Sequence, residues 1–351
     1  MHYKDDWDRA KNKLTALWQG KASGRPCISA VAPKPGGDPW PALPVNPEDR
    51  WMNPEWVVPH LRAQLSNTWW GGEAIPSYIV MGGWVVSAGG QPHFSQETIW
   101  FDTFDVDFQK PSPFTVREDD PWLLKHRKLY AAVAMESTGE KFLLGSPCFL
   151  PANDLLSMHM GTEHFMFALM DEPAWMQAAI LQAAQQLAGE RQRLNSTAQK
   201  CTSLWYGLGG WMPFWAPEPF IATQSDVSCM LSPDAFEQFV VPELDFMGRT
   251  AGAMWYHLDG HDARQHLPRL LSLPYLHVIQ YTPTPSEPPN GPEHLDFYKA
   301  VQKAGRILHI SLPPQNVAAL AGKLDPALLM LDVYCASESE GQAVIEHTER
   351  W

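Results

Sequence analysis

The alternation of short apolar runs with helical stretches constrains this chain more than any other feature. Short apolar runs recur about eight times: at 28–31, 78–81, 142–145, somewhere in 203–206 or 220–224, then 254–257, 276–280, 307–310 and 328–333. These read as strands, and the stretches between them read as helices. Pro173 sits where a first-turn proline is tolerated and opens a helix to about Ala198. Ser232 caps a second, with Pro233 at its first position and Asp234 against the positive end of its dipole. That helix buries Phe236, Phe239, Val240, Leu244 and Met247, spaced three and four apart, and Pro242 in its middle predicts a kink. Gly305 stops a helix that starts near Pro292, and Ser337 with Glu340 makes a capping-box pattern for the last one. About eight such alternations in 351 residues predict a parallel sheet closed into one (β/α)8 TIM barrel spanning residues 1–351, with helical and loop additions at the N-terminus. The main rival is an open doubly wound sheet. It should announce itself by a glycine-rich turn after the first strand, but that place reads APKPGG, and Gly207, Gly209 and Gly210 lead into WMPFW rather than a helix.

Composition narrows the partners. The formal charge of -13 repels phosphate backbones and disfavours nucleic acid and anionic membranes. No run reaches the roughly 18 apolar residues of a membrane span, and the opening MHYKDDWDRAKNK has no apolar signal core, so a soluble cytoplasmic protein is expected. Five scattered cysteines without a CxxC argue against a disulfide framework. The proline-rich stretches 33–47 and 283–292 read as loops rather than linkers, because apolar runs resume on both sides. Sixteen tryptophans, clustered at 51–84 and 205–215, suggest either an aromatic-lined cavity or a thick core.

In a parallel barrel, chemistry sits at the carboxyl ends of the strands. Three such ends carry functional groups: His257, Asp259, His261 and Asp262 in YHLDGHD; Gln280 and Tyr281 closing LHVIQY; and Cys335 after LLMLDVY. His257 and Asp259 lie two apart, so a strand points both the same way. Imidazole, carboxylate and thiolate are all zinc ligands, and three of them leave the fourth position of a catalytic zinc for substrate. The same spacing also suits a histidine that only hydrogen-bonds Asp259 or a backbone carbonyl. A lone Cys335 also suits a buried core position. Asp226, in TQSDVSCML, could anchor a substrate nitrogen, act as acid or base, or cap its turn. His159 and His164 fall on a helix with packing or surface roles, and His93 falls in a turn. Trp69 and Trp70 could wall a cavity or fill the core.

From SDVSCMLSPDAFEQFVVPEL through WYHLDG to LHVIQYTP, order and spacing resemble the uroporphyrinogen decarboxylase superfamily. That superfamily includes porphyrin decarboxylases and cobalamin-dependent methyltransferases that pass a methyl group to a thiol. LDFYKAVQKAGRILHI, LLMLDVYCASESEGQAVI and the opening WDRAKNKLTALWQGKASGRP extend the likeness over nearly the whole chain. It implies a (β/α)8 barrel with a deep cavity at its C-terminal face. Methyltransferases of this type hold zinc with H-x-C after the fifth strand and a second cysteine near the last. Here His257 matches the histidine, Asp259 replaces the first cysteine, and Cys335 falls where the second would. Aspartate is a harder ligand and leaves the metal more electrophilic. The decarboxylases carry an arginine-rich turn after the first strand. The corresponding VAPKPGGDPW offers only Lys34, too little cation for a tetra-acid substrate.

The leading expectation is therefore a metal-dependent methyltransferase moving a methyl group between a corrinoid carrier protein and a small acceptor or donor. His257, Asp259 and Cys335 would hold the metal, zinc first. Asp226, His257 and Asp259 would carry the chemistry. Gln280, Tyr281 and Tyr256 would contact substrate, and Trp69, Trp70, Trp84, Trp211 and Trp215 would wall the cavity. A second reading is a metal-free decarboxylase or lyase, in which His257 pairs with Asp259 or Asp226 to protonate a carbon as carboxylate leaves. A third is a non-catalytic barrel binding a tetrapyrrole or another small ligand.

Overall fold

The computed structural model describes residues 1–86, 90–202, 208–209 and 211–351. Its strands are β1 (Cys27–Pro33), β2 (Thr68–Gly72), β3 (Ser77–Tyr78), β4 (Pro92–Phe94), β5 (Ile99–Phe101), β6 (Leu143–Leu144), β7 (Leu208–Gly209), β8 (Phe214–Trp215), β9 (Ile221–Thr223), β10 (Met254–Asp259), β11 (Leu276–Thr282), β12 (Ile307–Ser311) and β13 (Leu329–Tyr334). Seven form one sheet in the order β2-β1-β13-β12-β11-β10-β9. All its neighbours are parallel except the edge strand β2, which runs antiparallel to β1. β3 and β6 pair in parallel as a separate two-stranded unit, and β4–β5 and β7–β8 are antiparallel pairs. The expected α/β class and mostly parallel sheet are present. The expected strands at 78–81 and 142–145 shrink to two residues each, and the run at 220–224 is β9. The alternative at 203–206 lies outside the described residues. Among the described residues, no helix is long and apolar enough to cross a membrane.

Alternation along the strands divides the core in two. On one face Cys27, Trp255, Val278, Ile307 and Met330 join a buried cluster with Trp7, Ala10, Leu14, Leu17 and Trp18 of the helix Trp7–Trp18. That helix carries its apolar residues three and four apart and lays them across this layer. On the other face Ile28, Ala30, Tyr256, Leu258, Ile279, Leu308, Ile310, Leu331 and Val333 belong to the larger cluster shared with the flanking helices. Two residues further along, the first face turns polar: Ser29, His257, Gln280, His309 and Asp332.

Local signals set the helix ends. Helix Pro173–Gln199 starts at its proline. The Ser232 hydroxyl accepts from Ala235 N at 3.2 Å. The kink expected at Pro242 takes the form of a π-helical turn, Phe236–Val240, just before helix Val241–Ala251. Proline has no N–H for the ladder, and the widened turn absorbs the mismatch. Gly305, at φ +70°, follows helix Leu295–Lys303. Ser337 accepts from Glu340 N at 3.2 Å, while Glu340 reaches back to Ala336 N at 2.6 Å instead of to Ser337 N.

One buried ion pair ties the start of β1 to the segment after β2. Arg25 meets Glu73 through two bonds, 2.6 and 2.9 Å, and Glu73 also accepts from Ile28 N at 2.8 Å. Their side chains are 2% and 0% exposed. Such a pair adds little net stability, but losing one partner strands a buried charge. Arg25→Met is therefore expected to cost about 3–5 kcal/mol in urea unfolding, against roughly 0–1 kcal/mol for breaking an exposed pair such as Lys125–Glu48.

His126 and His159 are fully buried, and none of their ring nitrogens has a partner. Burial pushes their pKa values down from 6.5 to about 3 and about 4. Between those values and 6.5 the unfolded chain binds protons that the folded chain refuses. Stability is thus full above about pH 6.5 and falls as pH drops, by up to about 1.4 kcal/mol per pH unit for each histidine. His126→Leu should remove one proton's share of that slope in unfolding midpoints compared at about pH 7 and about pH 5.

Candidate metal and ligand site

β10 presents Trp255, His257 and Asp259 on one side, and β11 places Gln280 directly beside His257 in register. Nδ1 of His257 meets the Gln280 carbonyl. The Gln280 amide donates to Thr282 Oγ1 at 3.1 Å, which turns its oxygen toward the histidine. Nδ1 therefore carries the proton and donates it, leaving Nε2 with a bare lone pair. Burial lowers the pKa of His257, with Gln280 and then Asp259 opposing, so the ring is neutral near pH 7. Nε2 stands 4.0 Å from Asp259 Oδ1.

Asp226 arrives from the turn Asp226–Met230 that follows β9. The buried Asp154 carboxylate shapes that turn by accepting from Asp226 N and Val227 N, each at 3.1 Å. Asp154 stands on helix Ala152–Met160, whose first turn is clamped by Glu243 through Ala152 N at 2.6 Å and Asn153 Nδ2 at 2.7 Å. Gln224 donates to Asp226 Oδ2 at 2.6 Å. One ligand atom each from Asp226, His257 and Asp259 lies within 4.8 Å of the others. Asp226 touches solvent, yet the protein packed around it, with Asp154 and Asp259, pushes its pKa up to about 8.

Two carboxylates and a neutral imidazole suit a divalent cation. Zinc bonds of about 2.0–2.2 Å put tetrahedral ligand atoms about 3.4 Å apart, which small side-chain rotations here would reach. The donors are oxygen and nitrogen, acceptable to zinc and to other borderline metals.

Cys335 does not belong to this group; Asp226 stands where the sequence pointed to the cysteine. Among the described residues, the group whose ligand atoms lie within 4.8 Å of one another holds Asp226, His257 and Asp259 and does not include the Cys335 sulfur. Cys335 N donates to Val31 O at 2.8 Å, fixing the residue beside the end of β1. Burial, with Glu340 adding, pushes its thiol up to about 11. Cys335 lines a cavity of about 490 Å³ together with Trp40, Trp70, Trp211, Asp332 and Tyr334. The Trp211 ring touches both regions: it lines the cavity and meets the His257 ring edge-on, centroids 5.1 Å apart.

Of the other expected contacts, Trp70 and Trp211 face the cavity, and Gln280 touches His257. Tyr256 and Tyr281 do not join them, because each lies one residue out of phase and points to the opposite face. Tyr281 donates to Glu287 at 2.6 Å, with Arg264 over its ring. Trp69 packs against Gly71 and Gly341, and Trp84 reaches Cys148. Trp215 is buried in the apolar layer, edge-on to Trp7. His261 and Asp262 are exposed on the short helix Gly260–Ala263. His93 pairs with Asp102 at 2.8 Å, and His164 packs near Phe108. Sequence reasoning missed Asp154, His309 and Asp332. The last two carried a signal, since ILHIS and LMLDVY each set one ionisable residue inside a buried strand.

No family model and no curated protein matches the chain. Among solved structures it is similar to a methyltransferase from Methanosarcina mazei, with 14% sequence identity and a TM-score of 0.56. The alignment covers 97% of this chain and 98% of that one, so the two share a fold from end to end.

Proposed function

We propose that this chain is a metal-dependent methyltransferase that moves a methyl group between a corrinoid carried by a partner protein and a small acceptor or donor. The seven-stranded sheet and the β3–β6 pair would be parts of one (β/α)8 barrel. The carrying observation is the neutral His257, fixed by Gln280 with its Nε2 lone pair turned toward the carboxylates of Asp226 and Asp259. The shared fold with a protein named as a methyltransferase supports the reaction class.

Asp226, His257 and Asp259 would hold zinc and leave one position for substrate. Zinc bound there would lower the pKa of a coordinated thiol and keep it as a nucleophile at neutral pH. Gln280 fixes the tautomer and the ring plane of His257. Asp154 sets the turn that carries Asp226. Trp211 packs edge-on against the imidazole, which is itself buried.

The raised pKa of Asp226 favours a second reading, in which its protonated carboxyl acts as a general acid in a metal-free lyase. Chelation separates the two, since only the first requires a metal.

Elemental mass spectrometry tests the proposal. Wild type and Cys335→Ala should each hold about one zinc per chain. His257→Ala should hold none and lose methyl transfer from methylcobalamin to small thiols. Gln280→Leu should weaken zinc binding about 10–100-fold. A wild type that takes up no zinc when supplied, or one that loses it only in Cys335→Ala, would overturn the proposal.

A further inference from the structure

The 490 Å³ cavity holds a second ionisable group that the proposed metal group does not use. Asp332, on β13, is 5% exposed. Its Oδ2 accepts from His309 Nε2 at 2.8 Å, while its Oδ1 has no partner. His309 is fully buried on β12, and its Nδ1 receives the Trp255 indole N–H at 3.1 Å. An indole nitrogen can only donate, so Nδ1 must be bare, and the single ring proton sits on Nε2. His309 is then neutral, and nothing in the chain Trp255–His309–Asp332 cancels the carboxylate charge.

The cavity wall does not cancel it either. Among the described residues lining the cavity there is no lysine, arginine or histidine, and Asp332 is the one charged group. Four of the other lining residues are aromatic: Trp40, Trp70, Trp211 and Tyr334. A buried, uncompensated carboxylate is costly, and aromatic faces attract cations through their quadrupoles. An anionic ligand would meet repulsion, and a neutral apolar one would leave Oδ1 unsatisfied.

We infer that this cavity binds a small organic cation, a protonated or quaternary ammonium, with Asp332 as its counter-ion and the tryptophans as its walls. His309 and Trp255 act as positioning residues that hold the Asp332 carboxylate at the cavity wall. The ligand's role as methyl donor or acceptor rests on the reaction proposed above. Its binding does not, because no metal takes part.

Calorimetry on the full chain, zinc-free and zinc-loaded, tests this with tetramethylammonium, trimethylammonium and choline, and with neutral 3,3-dimethylbutanol as the isostere of choline. At least one cation should bind more tightly than about 1 mM, and choline should exceed its isostere about tenfold or more. Asp332→Asn should weaken cation binding about 10–100-fold and leave the isostere unchanged. Trp40→Leu, at a half-exposed loop position, should weaken the cation severalfold and serves if Asp332→Asn fails to fold. The inference is overturned if no cation binds, if the isostere matches choline, or if both variants bind cations as the wild type does. Because binding is read without zinc as well, failure of the metal site leaves this result standing.

Discussion

Alternate residues of a strand point to opposite faces, and in this chain that rule places His257, Asp259 and Gln280 of the candidate site. Trp255, Val278, Ile307 and Met330 build an apolar floor with helix Trp7–Trp18 beneath it. One pleat higher, the same strands offer His257, Gln280, His309 and Asp332. The floor excludes water from below, so polar groups above it must find partners within the layer. His257 pairs with Gln280 and His309 with Asp332, while Trp255 of the floor donates its indole N–H to His309. A one-residue slip of a strand would turn these groups into the helix-packed face and abolish the layer.

The pairing leaves valence to spare at chosen points. Gln280 takes one side of His257 and leaves a lone pair on the other. His309 takes one oxygen of Asp332 and leaves the second free. Asp154 and Glu243, both buried, spend their acceptors on backbone N–H groups and so fix the turn that carries Asp226. Two carboxylates, Asp226 and Asp259, stand near His257, and a third, Asp332, lines the cavity; the Trp211 ring touches both regions.

Much of the fold was legible in the sequence. The strands from 254 onward announced themselves as apolar runs, and Pro173, Ser232, Gly305 and Ser337 marked helix ends through capping and backbone restriction. The short strands were harder to read: two-residue pairings such as Ser77–Tyr78 leave no periodicity, and the edge strand β2 carries the atypical sequence TWWGG. At the site, the i, i+2 spacing of His257 and Asp259 gave their shared direction. The third member was legible only as a candidate, because Asp226 and Cys335 are both far from His257 in sequence and only strand order says which is near. Tyr256 and Tyr281 were drawn in by adjacency to the correct residues, and the pleat turns them away. His309 and Asp332 sat in view as lone ionisable residues within buried strands, but their link depends on the register between β12 and β13.

The most direct test of the account is X-ray absorption at the zinc edge of the zinc-loaded protein. With no thiol added, only nitrogen and oxygen scatterers are expected at about 2.0–2.2 Å, from His257, Asp226, Asp259 and water. A sulfur shell at about 2.3 Å would make Cys335 a ligand and contradict the grouping of Asp226 with His257 and Asp259.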